Sequence, residues 1–158
     1  MEGMSEGVKL YGINKLRETL VVAESTRRSM QSNRSKGTKP EIQLRLELWK
    51  QGLRGYRKNV RNLPGTPDLV FGRAKVAIFV HGCFWHGHDC GKARILRQNH
   101  EFWKEKVARN QSRHERDVSL LLELGYTVVT IWECEWKAER EGWIEKLKTL
   151  LESKRPKT

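Results

Sequence analysis

Eleven consecutive residues, Val80-His81-Gly82-Cys83-Phe84-Trp85-His86-Gly87-His88-Asp89-Cys90, constrain this chain more than any other part of it. They place three histidines, two cysteines and two adjacent aromatics directly after the apolar run Val76-Ala77-Ile78-Phe79. An ordinary core strand has no use for that mixture. Soft metal ligands, proton-transfer groups and flat stacking surfaces stand together, and the rest of the chain is read by what it supplies to them.

The surroundings of this stretch are basic. The 158-residue chain carries a formal charge of +12, and the excess is concentrated. Residues 26–61 hold eleven Lys/Arg against two acids, and residues 92–116 hold eight against three. Such flanks point to a polyanionic partner. Nucleic acid fits better than a membrane, because basic and aromatic residues interleave without a long lipid-facing amphipathic helix. No apolar run approaches the roughly 20 residues that span a bilayer. The first residues, Met1 to Gly7, have neither the basic start nor the apolar centre of a secretory signal, so a cytoplasmic protein is expected. Three cysteines cannot all pair internally, which leaves metal ligation or plain burial.

The order of elements predicts an α/β domain. Thr38-Lys39-Pro40-Glu41 reads as a helix start with a capping box; Leu44, Leu48 and Trp49 continue it and Gly52 ends it. A polar bend, Arg57 to Asn62, leads to Leu63-Pro64-Gly65-Thr66-Pro67-Asp68. Two β-like runs follow, Leu69 to Phe71 and Lys75 to Val80, at hairpin spacing. Residues 99–124 read as a long helix with a polar middle and an apolar end at Val118, Leu121, Leu122 and Leu124. Tyr126 to Trp132 reads as a buried strand. A last helix is expected over Trp136 to Leu151, with Trp143, Leu147 and Leu150 on one face. One domain over 25–152 is expected, with an N-terminal extension, 1–24, and a basic tail, 153–158.

Cys83, His88 and Cys90 lie within eight residues, and Cys134 is the only other cysteine. If the strand before Cys134 neighbours the strand ending at Val80, the four close into a tetrahedral site of the structural zinc type. Four protein ligands leave no position for water. Spacing alone leaves His86 as a competing ligand.

Pro67-Asp68 followed by a β-hairpin is the layout of the PD-(D/E)xK nucleases, although no Glu-x-Lys ends the second strand here. Several segments together resemble the very short patch repair (Vsr) endonucleases. They are Pro64-Gly65-Thr66-Pro67-Asp68, His81-Gly82-Cys83-Phe84-Trp85-His86 and Trp132-Glu133-Cys134-Glu135, with Thr38 to Glu41 and Glu101-Phe102-Trp103 in the same pattern. The resemblance implies a restriction-endonuclease-like fold, with a central mixed sheet flanked by helices and a structural zinc on Cys83, His88, Cys90 and Cys134. It implies Mg²⁺ held by Asp68 and the main-chain carbonyl of Val80, a position where threonine is familiar in the family. His86 would be the general base, His81 would support a metal-held water near the leaving oxygen, and Glu41 would stand just behind this centre. Phe84, Trp85 and Trp103 would wedge into the base stack, and Met30 would enter from the minor groove.

The expected activity is nicking of duplex DNA 5′ to the thymine of a T·G mispair, the product of 5-methylcytosine deamination, by a monomer in transient contact with other repair proteins. The chemistry is sensible independently, since an imidazole takes a proton at neutral pH and a hard cation on a carboxylate is a Lewis acid. Two other readings stand beside it: a restriction-type nuclease indifferent to mispairs, and a zinc-stabilised DNA-binding module without catalysis. Each role also has a plainer counterpart. Asp68 can begin a turn, Glu41 can be a helix cap, His81 can be a core residue, and the aromatics can pack on the metal site.

Overall fold

A computed structural model describes residues 28, 36–91, 94–95 and 97–155. Its elements run α1 (Lys39–Lys50), β1 (Arg57–Lys58), β2 (Leu69–Phe71), β3 (Val76–His81), α2 (His100–Glu123), β4 (Thr127–Trp132), α3 (Glu133–Ala138) and α4 (Arg140–Ser153). The four strands form one mixed sheet in the order β1-β2-β3-β4. The first three are antiparallel neighbours, and β4 runs parallel to β3 with Val76 opposite Thr127 and His81 opposite Trp132. The expected α/β domain with a central mixed sheet is what forms.

Alternation along β3 sorts the core into two layers, because successive side chains leave opposite faces. Val76 and Ile78 pack with Leu44 and Leu48 of α1, Trp136 of α3, and Ile144, Leu147 and Leu151 of α4. Ala77 and Phe79 face the other way, onto Leu121 of α2 together with Val60 and Val70. Helices therefore cover both faces. At the end of β3 the chain leaves the sheet carrying the residues of interest.

Several local expectations change. The Thr38 hydroxyl donates to Glu41 Oε1 at 2.9 Å, and the Gly37 N–H donates to Glu41 Oε2 at 2.8 Å, in place of the reciprocal capping box. Glu41 is only 4% exposed, and a buried carboxylate takes both nearby donors as acceptor. Trp49 is exposed beneath the Arg54 guanidinium, 3.9 Å from its ring centre, because it sits about 100° around the helix from buried Leu48. Leu122 and Leu124 are likewise exposed, and Leu121 alone of that apolar end is fully buried.

The bend at Arg57 contains a two-residue strand whose side chains are both exposed, so no apolar pattern marks it. Strand β4 is half-buried rather than buried, being the last strand of the sheet among the described residues. The final helix is two, broken at Glu139 (φ −140°, ψ 57°), and the first begins at Glu133. The break lets Trp136 and the Ile144, Leu147, Leu151 stripe reach the same core.

Candidate active site and metal centre

Asp68 enters β2 from the turn Leu63 to Pro67, whose Gly65 has φ 71°. A Cβ at Gly65 would stand 3.0 Å from Asp117 Cβ and 3.1 Å from Phe79 Cζ, so both handedness and space select glycine. The hairpin register brings Asp68 beside the end of β3, where its Oδ2 accepts the Val80 N–H at 2.7 Å. Burial pushes the Asp68 carboxyl up to about 7; the Val80 amide pulls it back, nearby Glu41 adds to the rise, and Arg45 and Lys36 oppose it. Two carboxyls, Asp68 and Glu41, thus share one recessed corner of the molecule. Their mutual repulsion is what a bound cation relieves.

One residue beyond Val80 a histidine cluster begins. The rings of His81 and His86 stack with centroids 3.7 Å apart and planes 5° from parallel. A third imidazole, His114 of α2, meets His81 edge-on at 4.2 Å and sits against Phe79 at 5.0 Å, with its Nε2 3.3 Å from Thr130 Oγ1. Burial lowers all three pKa values. His81 falls to about 2, lowered further by His86 and His114, and His86 to about 4, lowered further by His114; for His114 the charges of Asp117 and Glu115 oppose the downward shift. The Nδ1 atoms of His81 and His86 are buried without a hydrogen-bond partner among the described residues. Buried polar atoms are nearly always paired, and the exceptions gather where chemistry is done. Burial thus keeps these rings neutral at neutral pH.

The candidate metal ligands assemble through the sheet. Parallel pairing of His81 with Trp132 carries Cys83 and Cys134, each two residues further on, to the same end of neighbouring strands. Between them the chain turns back through His88 N–H to Cys83 O (3.0 Å) and Cys90 N–H to His88 O (2.9 Å). The ligand atoms of Cys83, His88, Cys90 and Cys134 then all lie within 4.8 Å of one another. A tetrahedral shell of roughly 2.3 Å bonds needs thiolates about 3.8 Å apart, so these four fit around one ion with little movement.

Burial raises the Cys83 thiol to about 12; the Cys134 backbone amide pulls it back while the Cys134 and Cys90 side chains add to the rise, a cost that a bound cation reverses by holding thiolate. His88 is turned for the role. Its Nδ1 faces Cys134 Sγ at 3.3 Å, its Nε2 faces Glu135 Oε1 at 3.9 Å, and its ring lies on Trp132 at 4.3 Å. His86, which spacing left as a rival, stacks on His81 instead. The cluster can hold a metal ion.

Phe84 and Trp85 form an aromatic cluster with Phe102 and Trp103 of α2. Ring centroids are 5.2 Å apart for Phe84–Trp85, 5.4 Å for Phe84–Trp103 and 5.8 Å for Trp85–Trp103. The first two are half-buried, whereas Trp103 is only 4% exposed and stands behind them. Lys106 Nζ lies 5.1 Å from the Trp85 ring centre and 5.4 Å from that of Trp103. The cluster thus presents an edge-to-face aromatic surface bordered by a cation. Met30 lies outside the described residues.

Of the residues that α2 contributes, Trp103 and Leu121 were expected from the sequence, whereas Asn110, His114 and Asp117 were not. Trp103, Val107, Asn110, His114, Asp117 and Leu121 recur at helical spacing along one face, and that period was the available signal. Among the described residues no helix is long and apolar enough to cross a membrane.

Comparison with known proteins gives the family. The family profile described as DNA mismatch endonuclease Vsr matches residues 21–92. The type II nicking enzyme V.NmeAIP of Neisseria meningitidis serogroup A is 45% identical over 103 residues, covering 65% of this chain and 73% of that protein. V.XorIIP, a type II nicking enzyme of Xanthomonas oryzae pv. oryzae, is 40% identical over 112 residues, covering 71% and 82%. The DNA mismatch endonuclease Vsr of Escherichia coli K12 is 38% identical over 125 residues, covering 79% and 80%. The chain belongs to the Vsr family of DNA endonucleases, and is accordingly a DNA-cleaving hydrolase.

Proposed function

We propose that the protein nicks one strand of duplex DNA on the 5′ side of the thymine in a T·G mispair, using Mg²⁺ at Asp68 and a histidine base. The observation that carries the reading is the adjoining pair of sites at the end of β3. There the Asp68–Glu41 carboxyl pair abuts Val80, and the His81–His86 stack starts one residue on. A strand residue sends its N–H and C=O to the same neighbour in an antiparallel pair, so the Val80 carbonyl faces the side on which its N–H meets Asp68. A hard cation there supplies charge neutralisation on the phosphate.

The chain's own residues do the rest. His86, neutral and with an unpaired ring nitrogen, accepts a proton from the attacking water, and His81 holds water beside the departing 3′-oxygen. Glu41 supports Asp68 by placing a second negative charge behind it. The products are a 3′-hydroxyl and a 5′-phosphate.

Selectivity comes from the aromatic cluster. Phe84 and Trp85 enter the base stack with Trp103 as their backing, and Met30 meets them from the minor groove. Unstacking costs a few kcal/mol per step and least at a mispair. Zinc at Cys83, His88, Cys90 and Cys134 fixes the loop that carries both wedge and base, since three thiolates and an imidazole form a closed shell suited to that ion. The endonuclease unit spans 25–152, with 1–24 an extension to it and 153–158 a basic tail, and it works as a monomer in the cytoplasm in passing contact with other repair proteins. The basic flanks, in a chain of net charge +12, hold the duplex.

Several relatives are named as type II nicking enzymes, and a second reading is a restriction-type nicking enzyme indifferent to mispairs. Nicking of matched duplexes and of every mismatch, with and without Mg²⁺, separates the two. Preferential cutting of T·G supports the proposal. Equal cutting of matched duplex sinks mismatch selectivity, and Mg²⁺-independent cutting sinks the role given to Asp68.

A further inference from the structure

The loop carrying Trp85 and His86 is fastened to α2 by contacts that the reading above leaves unused. Asn110 Nδ2 donates to the Trp85 carbonyl at 2.8 Å. Gln111 Nε2 donates to the His86 carbonyl at 3.0 Å and reaches the Gly87 carbonyl at 3.5 Å. Three successive loop carbonyls are therefore taken by two successive side-chain amides of one helix.

Gly87 makes the fastening possible. Its φ is +62°, and a Cβ there would stand 2.6 Å from Val107 Cγ1 and 2.7 Å from Gln111 Nε2. Real Cβ atoms do not approach that closely, so the backbone lies against the helix where no other residue fits.

The location of the clamp matters more than its strength. On one side of it the Trp85 ring packs on Trp103 and Lys106; on the other the His86 ring stacks on His81. The 85–86 peptide, held by Asn110, joins the aromatic surface to the imidazole, and the 86–87 peptide, held by Gln111, leaves the imidazole on its other side. With both carbonyls held, the His86 ring has a fixed origin from which to reach the corner formed by Asp68 and Val80.

We propose that Gln111 is a positioning residue for His86. Its carboxamide pins the 86–87 peptide to α2, so the imidazole meets the scissile phosphate in one orientation, and Gly87 provides the room. This rests on the reading of His86 as the base. Both acceptors are carbonyls, so the position needs an N–H donor; a carboxylate of the same shape would turn lone pairs onto two carbonyl oxygens.

The test uses Gln111→Glu, Gln111→Lys and Gly87→Ala in the full chain, with metal content verified for each. Nicking is measured under saturating duplex, and hydrogen exchange is followed over residues 82–91. Gln111→Glu is expected to lower kcat about 3- to 10-fold, the size of one lost hydrogen bond, with KM for DNA within about twofold. Exchange in the loop should quicken by a similar factor while the metal stays bound. Gln111→Lys keeps a donor and should recover most of both losses, and Gly87→Ala should reproduce the Gln111→Glu pattern.

A Gln111→Glu protein with wild-type kcat and wild-type exchange overturns the proposal. So does equal impairment of the Glu and Lys variants, which would make shape rather than hydrogen donation the requirement. Wild-type protein that nicks no duplex would sink the functional reading instead, and the exchange comparison would still decide whether the clamp exists.

Discussion

The two histidine environments at the end of β3 are made from one short stretch and could hardly differ more. His88 has every face accounted for: Nδ1 toward Cys134, Nε2 toward Glu135, and the ring plane on Trp132. His81 and His86 are packed just as closely, ring on ring, yet each keeps a buried nitrogen without a partner among the described residues. A histidine fixed from all sides suits a scaffold. A histidine fixed in place but left with an unpartnered ring nitrogen suits proton transfer.

If this contrast is right, the two regions should fail differently. The largest effect is expected from Cys134→Ser. A structural metal site contributes on the order of 10 kcal/mol, comparable to the whole stability of a domain, so this variant should lose both metal and cooperative melting. Elemental analysis and thermal denaturation check it. Melting unchanged from the parent would show that the cluster does not staple the fold.

His86→Ala should do the opposite. Nicking of a T·G duplex is expected to drop about 10²- to 10⁴-fold while metal content and melting temperature stay near those of the parent. Loss of metal from this variant would erase the distinction between the two histidine environments.

Glu135→Gln sharpens the scaffold side. Weakening the carboxylate behind His88 should reduce metal affinity about 10- to 100-fold, measured by competition with a chromophoric chelator, with little change in kcat at saturating metal. A similar variant at His114, His114→Phe, keeps an aromatic edge on His81 and removes the nitrogen facing Thr130. A fall in kcat about 3- to 10-fold, with the metal retained, is expected if that hydrogen bond orients the stack.

The smallest expected effect is a pH dependence of stability in protein with the Cys/His site loaded and Mg²⁺ absent. His81 and His86 bind protons in the unfolded chain below about 6.5 but in the folded protein only near 2 and 4. The unfolded state therefore binds more protons through the window from 6.5 down to about 4, and stability falls as pH falls across it. Asp68 has the reverse sign: it is protonated up to about 7 when folded and only to 3.8 when unfolded, so it costs stability as pH rises between those values. Asp68→Asn removes the second slope. Its melting temperature should climb with pH from 4 to 6.5 more steeply than the parent's, by about 2–8 °C in all, and it should not nick. Parallel melting curves for the two proteins would contradict the buried-carboxyl account.

Particular residues show where reading the chain succeeds. The α/β order, the Leu69–Phe71 hairpin and the Cys83/His88/Cys90/Cys134 grouping were legible, since each rests on local pattern or on ligand chemistry that few residue types can serve. His114 and Gln111 were not. They contribute through a face of α2 that meets the loop only after the chain has folded back, and Gln111 is an exposed polar residue with no local signature. Trp103 shows a subtler gap. Its identity as part of an aromatic group was legible, but its place behind Phe84 and Trp85 depends on packing.

What the sequence determined by itself is the chemistry available: three thiols, a set of imidazoles, a carboxylate before a hairpin and a strongly basic surround. Composition and local spacing suffice for that, because only certain side chains ligate soft metals or exchange protons near neutral pH. Tertiary structure alone decided how those groups are divided. Parallel pairing of β3 with β4 carries Cys134 to Cys83, and the face of α2 brings His114 and Gln111 to the loop. Both are contacts between residues far apart in the chain, set by sheet register and helix rotation, which no window of neighbouring residues encodes.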